Sequence, residues 1–158
     1  MDLDDAPGET AADDAASRLG RMLVFAGFIP FAALALWLYG IAPDHPWRQG
    51  TIGLLTAYGA IVLSFLGGIR WGLALRGRDG EGKADLILGI VPPLVGWTAI
   101  VMPAPLNFVL LAVAFAAQGA WDSLTLTSDA APDWFRRIRI QMTVLVVAAL
   151  VVAFVAAS

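Results

Sequence analysis

The stretch SFLGGIRWG, Ser64 to Gly72, decides how this chain is read. It lies at the end of an apolar run that extends from Ile52 to Leu75, and a bilayer core needs roughly 20 such residues per helix. Two adjacent glycines, then an arginine and a tryptophan, suit the place where a span leaves the hydrocarbon. Glycine lets helix backbones approach, while Arg and Trp favour the headgroup level.

Working outward, four more runs have the same character: 22–39, 86–102, 106–121 and 140–157. The 158 residues are 59% hydrophobic, against about 45–50% in a soluble domain, and the mean hydropathy is +0.75. These features predict an all-α integral membrane protein with five transmembrane helices, forming one domain over 18–158. A two-plus-three arrangement with the fourth run re-entrant is the alternative, and the lengths favour five spans. Residues 1–17 hold six of the thirteen acids (Asp2, Asp4, Asp5, Glu9, Asp13 and Asp14) together with Pro7 and Gly8. With no apolar face to bury, this tail reads as disordered. Its acidity also sets it apart from the basic start of a secretory signal.

Direction follows from the basic residues, because cytoplasmic loops hold the excess of Lys and Arg. Arg18, Arg21, Arg70, Arg76, Arg78, Lys83, Arg136, Arg137 and Arg139 all fall on one side, leaving only Arg48 on the other. The expectation is a cytoplasmic N-terminus and an outside C-terminus, in a bacterial inner membrane. Trp71, Trp121 and Trp134 then lie near the inner boundary, and Trp37, Tyr39 and Trp47 near the outer one, as anchors or packing groups.

Within that frame, Ser64, Gly68 and Gly72 form a small-residue ridge for helix packing, inside the chain or against another subunit. Arg70 reads foremost as an interfacial residue whose head snorkels to water. The alternative turns it inward to pair with Asp122 at the end of the fourth run, with Gln118 one turn earlier as a further hydrogen-bond partner. Pro92 and Pro93 remove two N–H donors and predict a kink in the third span.

Catalytic chemistry finds little support. Residues 77–84 match GxxxxGK but end in Ala84 where Ser or Thr would ligate magnesium, and a membrane span precedes them instead of a buried strand. His45 is the only histidine, in a short outer loop, and there is no cysteine, so neither a multi-histidine metal site nor a serine–histidine site is expected within one chain. Ser64 is expected to bond a carbonyl one turn back. No catalytic residue, cofactor or metal is expected.

Two stretches, YGAIVLSFLGGIRWGLAL (58–75) and PDWFRRIRIQMTV (132–144), together with GFIPF (27–31), resemble a family of small inner-membrane proteins. This family is designated domain of unknown function 3429 and includes mitochondrial relatives called transmembrane protein 69. The resemblance implies a multispan membrane protein and carries no activity or binding residue with it. The residues themselves favour a non-catalytic accessory or assembly subunit of a larger inner-membrane complex. Its partners would be the lipid bilayer and other membrane subunits, and not nucleic acid. A small carrier or channel around the third span is the second reading, resting on Pro92, Pro93, Thr98, Gln118 and the Arg70–Asp122 pair. A lipid or quinone enzyme using Asp44 and His45 is the third.

Overall fold

A computed structural model describes residues 7–76, 83–125 and 133–158. Every regular element among them is helical: α1 Pro7–Gly40, α2 Arg48–Arg76, α3 Lys83–Leu88, α4 Val91–Val101, α5 Leu106–Thr125 and α6 Asp133–Ala157. Four helices contain segments long and apolar enough to cross a membrane: Arg18–Gly40, Arg48–Gly72, Leu106–Ser123 and Arg137–Ala157. The remaining apolar stretch, Leu86–Val101, is shorter. The protein is an all-α, multi-pass membrane protein.

Two expectations need correction. Helix α1 is continuous from Pro7, so residues 7–17 are a helical extension ahead of the apolar segment Arg18–Gly40 and not an irregular tail. Alanine is the best helix former, Pro is tolerated in a first turn, and Glu9 stands in that turn at the positive end of the helix dipole. Residues 1–6, and the GxxxxGK-like loop at 77–82, lie outside the described residues.

The third run is not one kinked helix over 86–102. It is broken at Gly89 and Ile90, and Pro92 and Pro93 sit in the first turn of α4. There their missing N–H groups cost no intrahelical bond. The Ile90 N–H turns back to the Ile87 carbonyl at 3.2 Å. The Leu86 carbonyl, which a continuous helix would have bonded to Ile90, accepts from the Trp71 indole N–H at 2.6 Å. Trp71 is thus a cap for α3 as well as an interfacial ring.

The helices close into a ring in which α1 contacts α2 and α6, α4 lies between α2 and α5, and α5 packs on α6. Helix α2 also touches α5 across the middle. Inside, Phe31, Leu38, Leu55, Leu63, Phe108, Leu111 and Leu150 are almost fully buried. Phe31 meets Tyr58 and Phe115 edge-on, with centroids 5.0 and 5.7 Å apart.

Close backbone approach occurs at glycines other than those expected. A Cβ on Gly67 would stand 2.5 Å from the Gly89 carbonyl oxygen, and one on Gly96 would stand 3.0 Å from the Ala60 Cα. At Gly119 the Thr143 side chain fills the space a Cβ would take. Among the described residues nothing lies within 4 Å of a Cβ on Gly68 or Gly72, so the Ser64–Gly68–Gly72 ridge is not a contact between the described helices. The reason is angular: Gly67 is four residues from the buried Leu63, while Gly68 and Gly72 lie about 100° and about 140° further round, alongside exposed Phe65 and Ile69. Ser64 itself donates to the Ala60 carbonyl at 2.8 Å.

Candidate functional site

Three inward-facing helical stripes end in charge at the basic end of the bundle. On α2 the stripe runs Leu63, Leu66, Arg70, and on α5 it runs Phe115, Gln118, Asp122. On α6 the buried positions Val146 and Met142 lead down to Arg139. The spacing of three or four residues that buries the apolar members carries the polar ones to the same face.

The three helices meet on one carboxylate. Arg70 Nε donates to Asp122 Oδ1 at 2.9 Å, and Gln118 Nε2 donates to the same oxygen at 3.2 Å. Arg139 donates to Oδ2 from Nε at 2.9 Å and from Nη2 at 2.6 Å. Arg70 is 7% exposed and Asp122 5%, so Arg70 does not extend to water as a snorkelling residue would. Its guanidinium lies 5.3 Å from the centre of the Trp121 ring, within cation–π range. A buried ion that kept no partner would carry a desolvation penalty of several kcal/mol, and the fork of Arg139 together with Arg70 and Gln118 saturates both carboxylate oxygens.

Beside this cluster a cleft of about 310 Å³ lies between α4 and α5, backed by Leu63 of α2. Val95, Ala114 and Ala117 line its body, while Arg70, Gln118 and Trp121 stand at one end.

At the opposite end the buried polar contact between α2 and α5 is uncharged. Asn107 Nδ2 donates to Thr56 Oγ1 at 2.7 Å, and Thr56 Oγ1 donates to the Ile52 carbonyl at 2.8 Å. The Asn107 side-chain oxygen accepts from the Phe108 N–H at 2.9 Å. Arg48, the one basic residue on this side, donates to the Ala156 carbonyl at the C-terminus of α6, where a cation complements the helix dipole. His45 Nδ1 accepts from the Trp47 N–H.

Asp122 brings together Arg70 and Gln118, which the sequence singles out, and Arg139, which the sequence places only among the topological charges. Pro92 lines the cleft. The hydroxyls of Ser64, Thr98, Ser123 and Thr143 each donate to a carbonyl one turn back. Among the described residues no buried side-chain nitrogen or oxygen lacks a partner, and no cluster of three His, Cys, Asp or Glu has the makings of a metal site.

Fold and cluster together define a small polytopic membrane protein whose intramembrane charges serve one another. The chain belongs to the family described as protein of unknown function (DUF3429), whose model matches residues 16–155. It is similar to transmembrane protein 69 of Xenopus tropicalis, with 32% identity over 137 residues that cover 82% of this chain and 51% of that protein. Transmembrane protein 69 of Mus musculus is 31% identical over 136 residues, covering 84% and 54% respectively. The chain therefore spans about half the length of these curated relatives. No solved structure matches it significantly.

Proposed function

We propose that the chain is a non-catalytic accessory or assembly subunit of a larger complex in a bacterial inner membrane, with its N-terminus in the cytoplasm. The observation that carries this reading is the outward face of α2. Gly68 and Gly72 are exposed there with nothing within 4 Å of a Cβ position, between Phe65 at 66% exposure and Leu75 at 69%. Each helical glycine gives up roughly 1 kcal/mol of helix propensity relative to alanine, and no contact among the described residues returns it. A transmembrane helix of another subunit, laid on this notch, gains the backbone contact that lipid tails leave unmade. The carrier reading has less support, since Thr98, Gln118, Arg70 and Asp122 are all engaged in internal bonds.

The test is purification of wild type and of Gly68→Leu/Gly72→Leu from native membranes in mild detergent. Wild type should migrate in a complex with identified membrane proteins. The double variant should lose them while keeping its melting temperature. A wild-type chain that runs as a lone monomer overturns the reading.

A further inference from the structure

A second pocket, of about 220 Å³, lies at the end of the bundle away from the Asp122 cluster, where α2 begins, α4 ends and α5 starts. Gln49, Gly53 and Thr56 of α2 line it, with Ile100 of α4, the turn 102–104 and Asn107 of α5. Thr56 and Asn107 are buried at 4% and 3% exposure, whereas Gln49 is exposed. The buried pair is therefore the floor and Gln49 the mouth, about 10 Å away along α2. Between them, nothing among the described residues lies within 4 Å of a Cβ on Gly53, so the helix leaves this space open.

The pocket is polar without being charged. None of its lining residues is ionisable, and Arg48, beside Gln49 in the chain, donates to the Ala156 carbonyl. A floor of amide and hydroxyl does not offset the desolvation of an ion, so the site selects a neutral occupant. A carboxamide has two N–H donors and an oxygen with two lone pairs. Asn107 spends one N–H on Thr56 Oγ1 and one lone pair on the Phe108 N–H, which leaves one donor and one acceptor. A hydroxyl, donor and acceptor at once, is their complement. Size narrows the class further: at roughly 30 Å³ per group, the pocket holds about seven non-hydrogen atoms, which admits glycerol and not a hexose. On the side facing the bilayer Ile100 is 54% exposed, with Trp97 and Val101 each at 65% beside it, an apolar face along which a chain attached to the glycerol can leave.

We propose that this pocket binds an uncharged glycerol group with free hydroxyls, carried either by glycerol itself or by the head of a monoacylglycerol. One hydroxyl exchanges hydrogen bonds with Asn107 at the floor, and another meets the Gln49 amide at the mouth. The pocket is at the other end of α2 from Gly68 and Gly72, so its binding does not depend on a partner for that face.

Native mass spectrometry of the full chain, released from detergent, tests the site with monooleoylglycerol and with its di-O-methyl ether, which keeps the chain and the glycerol but has no hydroxyl donor. Wild type should retain one monooleoylglycerol per chain, at least about tenfold more than the ether. Gly53→Leu, whose side chain enters the open space, should lose the adduct. Gln49→Ala should lower it at least about threefold, and because Gln49 is exposed this variant keeps the wild-type melting temperature and carries the test even where Gly53→Leu does not fold. Equal retention of the ether overturns the proposal, as does a wild type with no adduct or an adduct unchanged in whichever variant folds. Excess free glycerol separates the two sources: displacement of the adduct assigns a soluble ligand and persistence assigns the lipid, and either result supports the glycerol site. Failure to find membrane subunits with the protein would bear on the Gly68–Gly72 face and leave this measurement intact.

Discussion

At the basic end of the bundle α2, α5 and α6 meet on one carboxylate, whereas at the opposite end α2 and α5 meet on one neutral amide. The difference lies in what remains when a partner is removed. Deleting Asp122 takes the carboxylate from Arg139 and from the buried Arg70 in a low-dielectric site. Deleting Asn107 leaves Thr56 still bonded to the Ile52 carbonyl and the Phe108 N–H still within reach of the Pro105 carbonyl. Charge makes the first contact indispensable once formed, and redundancy makes the second forgiving.

The largest expected effect tests that asymmetry directly. Asp122→Ala should destabilise the protein by about 3–5 kcal/mol, as for other buried pairs that lose one member. Arg70→Ala combined with Asp122→Ala should be less damaging than the sum, with a coupling of at least about 1 kcal/mol in thermal unfolding in detergent. Simple additivity would mean that the carboxylate is not shared and would break the comparison.

Next comes Gly67→Ala, beside the break between α3 and α4. A methyl aimed at the Gly89 carbonyl oxygen from 2.5 Å forces α2 and the α3–α4 turn apart. Overpacking of this kind has an expected penalty of about 1–3 kcal/mol. A silent substitution would show the turn to be free to move.

Asn107→Ala should have a smaller effect, about 1 kcal/mol, in line with hydrogen bonds between membrane helices. A loss as large as that of Asp122→Ala would erase the contrast between the two ends. The smallest effect belongs to Gly68→Leu. On the outward face it should shift the stability of the isolated chain by no more than about 0.5 kcal/mol, and a large loss would mean that Gly68 faces another part of the same chain.

Much of this architecture is legible in the sequence. Composition and run length identified the membrane class, because burying that much apolar surface in so short a chain requires lipid as the solvent. The site was half legible. Arg70 is seven residues beyond Leu63 and Asp122 seven beyond Phe115, so continuing each buried stripe by two turns places both charges inward. Snorkelling is the simpler reading of Arg70 in the sequence because it stands about one turn from the end of the apolar run, within reach of water. Arg139 was missed for a related reason. Its neighbours Arg136 and Arg137 suit a cytoplasmic loop, and only its register with Met142 and Val146 on α6 separates it from them.

The sequence by itself determined the solvent, the number of apolar segments and the clustering of positive charge at one end. All three follow from local composition read against the thickness and polarity of a bilayer. It also marked Pro92 and Pro93 as an interruption, because a missing N–H is a property of the residue. Only the tertiary structure decided which of two adjacent glycines is pressed against a neighbour, where the interruption falls, and that two arginines from different helices share one aspartate. Those outcomes depend on the rotation of each helix about its own axis. That rotation is set by the joint packing of side chains from helices far apart in the chain, here Leu63, Phe115 and Val146 around one core.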